Sequence, residues 1–191
     1  MEIIAIMGSP RKEGNTELIL NAFLRGVEEG GGDFEKVLIS DLEISPCREC
    51  LVCEATGECV ILDDATPIYR RLLAADKIVI ASPSFFYGFP AQLKALIDRC
   101  QFLWARRHIL KQDPGSSSKE AFVLLLGATG GKDLFDGQLQ TIRYFLEPLN
   151  TRLVGSLLYR KIEKQGDIRR HPTALDEAYH EGIKFQTSNP K

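Results

Sequence analysis

Four cysteines, Cys47, Cys50, Cys53 and Cys59, fall within thirteen positions of a 191-residue chain that holds five in all. The pattern is C-x2-C-x2-C-x5-C. Two-residue gaps let consecutive thiolates converge from a tight turn, as in ferredoxin-type runs that ligate a cubane. The longer last gap contains Gly57, which lets the fourth sulfur come back. No histidine lies nearby, so the donor set is all thiolate. Zinc also accepts four thiolates, but structural zinc sites usually draw them from two separated C-x2-C knuckles. The spacing favours a [4Fe-4S] cluster; zinc, free thiols and a structural clasp are the alternatives.

A second polar group follows the first apolar run, in "GSPRKEGNT" (8–16). It has neither the Gly-Lys-Ser/Thr of a Walker A loop nor the G-x-G-x-x-G of a dinucleotide site, so neither ATP nor a dinucleotide pyrophosphate is indicated. It does offer what a terminal monophosphate needs: the Ser9 and Thr16 hydroxyls, the Asn15 amide, the Arg11 guanidinium and the free N–H groups of a helix N-terminus. The plainer alternative is a strand-to-helix turn with an asparagine cap.

Both groups need a scaffold. Apolar runs without alternation at 2–7, 77–82, 121–128 and 151–159, with a weaker one at 35–40, fit strands covered on both faces. Between them apolar residues recur at helical spacing: Leu20, Phe23, Leu24 and Val27; Leu93, Leu96, Ile97, Cys100, Leu103 and Trp104 in one longer stretch; Phe135, Leu139, Ile142 and Leu146. Residues 63–76 open on two aspartates and carry Pro67 in the first turn, where proline is tolerated. The order predicts a doubly wound α/β fold, a five-stranded parallel sheet with helices on both faces. One domain over 1–191 is expected, with the cysteine loop after strand 2 and a polar tail from about residue 160 that ends in a helix. Such folds bind ligands at the carboxyl ends of their strands. "GSPRKEGNT", the cysteines, "SPSFFYGFP" (82–90) and "GATGGKD" (127–133) follow the first four strands, at that edge. "QDPGSSSK" (112–119) and the tail read as flexible.

Composition narrows the partners. With 44% hydrophobic and 26% charged residues the chain can bury a sizeable core, and its formal charge of −2 gives no long-range hold on nucleic acid or an anionic membrane. The first apolar run has no basic flank and stops at Gly8-Ser9-Pro10, too short for a signal peptide or a membrane span. A cytoplasmic protein is expected, and in a reducing compartment the four cysteines read as metal or redox ligands rather than as two disulfides.

The series "GSPRKEGNT", "SPSFFYGFPAQLKALIDR" (82–99) and "GATGG" (127–131), each after a strand, resembles the NADPH-dependent FMN reductase family on a flavodoxin-like fold, over nearly the whole chain. The resemblance implies that Ser9, Arg11, Asn15 and Thr16 hold the FMN phosphate. It implies that Pro83, Phe85, Phe86, Tyr87 and Gly88 contact ribityl chain and ring, and that Ala128, Thr129, Gly130 and Gly131 offer backbone donors at the ring's polar edge. Flat aromatic side chains and closely approaching glycine backbone suit a tricyclic ring; a hydrophobic plug or a dimer surface is the plainer use of "SFFYGF". The cysteine loop followed by Asp63-Asp64 resembles the iron-sulfur flavoproteins within that family. That implies a homodimer or homotetramer whose cluster lies near an FMN, often that of a neighbouring subunit. It implies a flavin-dependent oxidoreductase that moves electrons from NAD(P)H or a redox protein such as ferredoxin to an acceptor. Without a cluster the chain would be an NAD(P)H-dependent FMN or quinone reductase, and with zinc a non-enzymatic binding module. Hydride transfer to flavin demands no acid-base catalyst, and none is assigned.

The remaining titratable residues read more plainly. Cys100 falls on an apolar helical stripe, as a core thiol. Lys94, Asp98 and Arg99 lie on the polar face of their helix, solvated or at a subunit contact. "ARRH" (105–108) with Lys111 reads as a solvated helix end, with a 2′-phosphate or an acidic redox partner as the alternative. His108, His171 and His180 read as solvent-facing.

Overall fold

Strands rich in isoleucine and leucine, with no polar alternation, are stable where both faces of the sheet are covered. The structure, a computed structural model, describes residues 2–112 and 119–188 and shows that arrangement for the strands at 2–7, 77–83 and 119–126, whereas the edge strand at 151–159 leaves Arg152, Val154 and Ser156 exposed and so is not covered on both faces as expected. Its elements are β1 (Glu2–Met7), α1 (Asn15–Glu29), β2 (Asp33–Leu38), α2 (Val52–Thr56), α3 (Ala65–Ala74), β3 (Lys77–Pro83), α4 (Ala91–Arg99), α5 (Gln101–His108), β4 (Lys119–Leu126), α6 (Asp136–Leu146), β5 (Thr151–Tyr159), α7 (Asp167–Arg170) and α8 (Ala174–Thr187). The five strands are parallel in the order β2-β1-β3-β4-β5, which is the flavodoxin-like order. Ile4, Ile6, Ile78, Ile80, Val123 and Leu125 turn to the face covered by α3 to α6. Their neighbours Ile3, Ala5, Met7, Val79, Leu124 and Leu126 turn to the face covered by α1 and α8. Among the described residues no helix is long and apolar enough to cross a membrane.

Three details depart from the sequence reading. The apolar stretch from Leu93 to Trp104 divides at Cys100 into α4 and α5, and Cys100 itself is buried. β4 is displaced two residues toward the N-terminus from 121–128, and of the supposed linker, residues 113–118 lie outside the described residues. The tail is not flexible through residue 188, because α8 docks on α1. Ala174, Ala178, Gly182 and Phe185 make a narrow stripe of mostly small residues, which a search for bulky apolar periodicity passes over. Gly26 and Gly182 stand so close that a Cβ on either would run into the backbone of the other helix. Phe23, Phe122 and Phe185 interlock beneath them with ring centroids 4.9, 5.7 and 5.9 Å apart. The buried Lys77 ammonium closes the end of α8, donating to the carbonyl oxygens of Phe185 and Ser188.

Candidate functional site

The strand order reverses between β1 and β3, and the loops leaving these two strands enclose a crevice there. Gly8 N–H donates to Ala81 O at 2.8 Å, pinning the first loop to β3. Ser9 is buried, and its Oγ accepts the Arg11 N–H at 3.1 Å. α1 starts at Asn15, so its first-turn N–H groups, which have no intrahelical partner, face a cavity of about 180 Å³. Ser9, Arg11, Asn15 and Thr16 line it together with Pro83, Ser84, Phe85 and Ala128. The Asn15 amide, however, is engaged: Nδ2 donates to Lys164 O at 2.8 Å and Oδ1 accepts the Ile168 N–H at 3.3 Å. Its side chain buttresses the 164–168 turn, leaving the backbone N–H for a ligand. Sequence reasoning passed over Ser84, whose Oγ is buried with no hydrogen-bond partner.

The aromatic loop is a tight turn. Phe85 and Gly88 exchange backbone hydrogen bonds of 3.0 and 2.8 Å, and the two residues between them, Phe86 and Tyr87, sit at φ +49° and +62°. Two bulky residues in the left-handed region cost about 1–3 kcal/mol each, the kind of strain that clusters at functional loops. Phe86 is fully solvent-exposed and Phe85 and Tyr87 are about half exposed; of this turn Phe85 lines the cavity, and Phe86, Tyr87 and Gly88 do not. Tyr87 lies over the third loop: a Cβ on Gly131 would come 2.5 Å from its Oη. In that loop the carbonyls of Thr129 and Gly131 accept from Lys161 N–H and Arg160 Nε, and of residues 128–131 Ala128 lines the cavity. A cavity of this size, with the buried Ser84 hydroxyl, a helix N-terminus and a flanking aromatic, fits the phosphate end of an FMN.

The cysteines occupy a different place. After β2 the chain leaves the strand edge and crosses to the helical layer, where Leu42, Ile44, Cys53 and Cys59 pack against the core beneath α4 and α5. Each gap in the cysteine pattern contains a left-handed residue, Glu49 (φ +51°), Leu51 (φ +59°) and Gly57 (φ +72°), so the loop winds back on itself. All four cysteines line one cleft of about 530 Å³ with Arg99, Phe102 and Trp104 in its walls. Burial raises the pKa of the Cys53 thiol, and Cys50, Cys47 and Cys59 are near enough to raise it further. The Glu49 N–H lies 3.5 Å from Cys47 Sγ. Among the described residues no group of three or more His, Cys, Asp or Glu side chains is arranged to hold a metal ion. A tetrahedral zinc ion with bonds of ~2.3 Å would need its sulfurs within about 4 Å of one another. The four thiols line one cleft and form a single donor type, the chemistry a thiolate-ligated group needs, although they are not drawn around a metal ion here. The cleft and the phosphate pocket share no lining residue.

Arg99 is not solvated as expected but 1% exposed, and its guanidinium pairs with Asp63 Oδ2 at 2.5 Å. Burial opposes the Asp63 charge, but Arg99 and the N–H groups of Ser45 and Ala65 outweigh it and hold the carboxyl below its ordinary pKa. The helix end at 105–108 is not free either. Arg106 Nε donates to Gly57 O at 2.6 Å and its Nη2 pairs with Glu58, tying the loop to α5. Arg107 and His108 both pair with Glu147. The His171 ring accepts the Ala174 N–H at 3.1 Å at the start of α8.

A family model described as NADPH-dependent FMN reductase matches residues 1–156. The iron-sulfur flavoprotein of Methanosarcina thermophila is 42% identical over 117 residues, 61% of this chain and 61% of that protein. An iron-sulfur flavoprotein of Methanocaldococcus jannaschii is 42% identical over 99 residues, 52% of this chain and 51% of its own. The chain thus spans roughly half to three fifths of the length of these relatives. The solved NAD(P)H:quinone oxidoreductase from Methanothermobacter marburgensis has the same fold, with a TM-score of 0.78 over 99% of this chain and 98% of that one at 17% identity. The matched segment runs from β1 into β5 and takes in the first loop, the aromatic turn, the glycine loop and the cysteines, and the chain belongs to the NADPH-dependent FMN reductase family.

Proposed function

We propose that this chain is an FMN-dependent oxidoreductase that also carries a [4Fe-4S] cluster on Cys47, Cys50, Cys53 and Cys59. It passes electrons from NAD(P)H or a redox protein such as ferredoxin to an acceptor. The observation that carries this reading is the presence in one chain of two separate clefts, one at the switch point with an unpaired Ser84 hydroxyl and one lined by all four cysteines. FMN supplies two-electron acceptance with one-electron release, and a cluster supplies one-electron steps. Ser9, Arg11, Thr16 and the first-turn N–H groups of α1 hold the phosphate. Pro83 and Phe85 wall the pocket, Tyr87 laid on Gly131 keeps water from one side, and the N–H groups of 128–131 donate at the ring's polar edge. Because the two clefts share no wall, the cluster of one subunit serves the flavin of another in a homodimer or homotetramer.

The test is a comparison of wild type with Cys50→Ser, both reconstituted anaerobically. The variant keeps FMN, loses iron, and loses oxidation of reduced ferredoxin while any direct NAD(P)H oxidation survives. Wild-type and variant proteins that are equally active with every donor, and equally free of iron, would instead identify a cluster-free flavin or quinone reductase.

A further inference from the structure

Arg99 is among the largest fully buried side chains of the molecule and stands in the wall of the cysteine cleft. Its Nη1 donates to Asp63 Oδ2 at 2.5 Å and to Ser45 O at 3.4 Å, and its Nη2 donates to Ile61 O at 2.6 Å. Ser45 lies two residues before Cys47 and Ile61 two after Cys59, so one guanidinium closes the neck of the loop. Asp63 completes the closure by accepting the Ser45 N–H at 2.9 Å. The third nitrogen, Nε, is buried with no partner. An arginine keeps its charge at any ordinary pH, and leaving one of its donors unsatisfied in the interior is costly. Cys59 is close enough to interact with that charge electrostatically.

We propose that Arg99 is the positioning residue of the cysteine site. Its two Nη groups fix the loop neck so that the first and last thiols converge, and its buried positive charge in the cleft wall favours the more negative, reduced state of the anionic group held there. This rests on the reading that the four cysteines bind an iron-sulfur cluster. A residue that merely stapled the loop would leave the potential of a loaded site unchanged; a buried cation beside it would not.

Wild type, Arg99→Lys and Arg99→Met are reconstituted anaerobically, iron and sulfide are counted, and the cluster is titrated with detection by electron paramagnetic resonance. In the iron-free proteins the rate of protease cleavage within residues 46–60 is timed. Arg99→Met should shift the oxidised-to-reduced ratio about tenfold toward the oxidised form, which is about 59 mV lower for a one-electron couple. Arg99→Lys should fall between Met and wild type, and the iron-free Met variant should be cleaved at least several-fold faster. Equal potentials in all loaded proteins overturn the charge role. If Arg99→Met does not load, Arg99→Lys decides: a wild-type potential overturns the proposal and a lowered one supports it. Equal cleavage rates overturn the neck role. A wild type that takes up neither iron nor sulfide overturns the four-thiolate reading itself, and shows this before any variant is compared.

Discussion

Ser84 Oγ is buried beside the switch-point cavity with no hydrogen-bond partner among the described residues, and a ligand bound there is expected to supply one. Ser84→Ala removes that unsatisfied group, and the flavin-free chain should be as stable as wild type or slightly more so. Its affinity for FMN should fall about tenfold, read from quenching of flavin fluorescence. Arg11→Ala removes a charge-assisted donor worth about 1.5–3 kcal/mol, a loss of roughly 10- to 100-fold in the same titration. Asn15→Ala should act mainly on stability, through the 164–168 turn. That Ser9, Arg11, Asn15 and Thr16 gather at one cavity beyond β1 was legible because a Gly-Ser-Pro turn between a buried strand and a helix places polar groups at a helix N-terminus. The Asn15 partners were not legible, since they lie about 150 positions away in the chain. Nor was Ser84, whose distinction is a missing partner that no residue pattern records.

At the scale of elements, the cysteine loop is an Ω-shaped segment whose ends are held by Arg99 and Asp63. The folded-state pKa of Asp63 is depressed. Its stabilising contribution is therefore fully present above the ordinary carboxylate value of 3.8 and is lost as pH falls through the lower folded value. Thermal unfolding of the iron-free chain should show an acid limb below about pH 4 that Asp63→Asn flattens, at the cost of lower stability at neutral pH. Breaking a buried pair from one side costs about 3–5 kcal/mol. The α1–α8 contact gives a sharper steric case. Gly26→Ala or Gly182→Ala puts a methyl into the facing backbone and should cost about 3 kcal/mol in urea unfolding, with both helices loosened together. β1, β3 and β4 were readable because doubly covered parallel strands are uninterrupted apolar runs, while the edge strand β5 is as apolar in sequence yet exposes alternate residues. α8 was underread because its contact face is built from small residues. Arg99 was misread because its position on the helix wheel is polar while the layer above it, the cysteine loop, is a long insertion that covers it.

For the whole molecule, the doubly wound parallel sheet followed from the alternation of strands and helices, and the carboxyl edge where such sheets take ligands carries a cavity at the β1/β3 switch point. The path of the cysteine loop did not follow. The apolar positions Leu42, Ile44, Cys53 and Cys59 carry it onto the α4–α5 layer, away from the edge where the other three loops gather. That separation is why electron flow between the two centres is assigned to neighbouring subunits, and it predicts that dilution to monomers slows reduction of the flavin through the cluster without changing flavin content.

The proposed function requires one chain to hold both a flavin and an iron-sulfur cluster. The direct measurement is an anaerobic absorption spectrum of the wild-type protein with counts of FMN, iron and labile sulfide. The account predicts flavin bands over a broad brown shoulder that bleaches in air, with about four iron and about four sulfide ions per chain. Flavin bands alone, with neither iron nor sulfide after reconstitution, would contradict it.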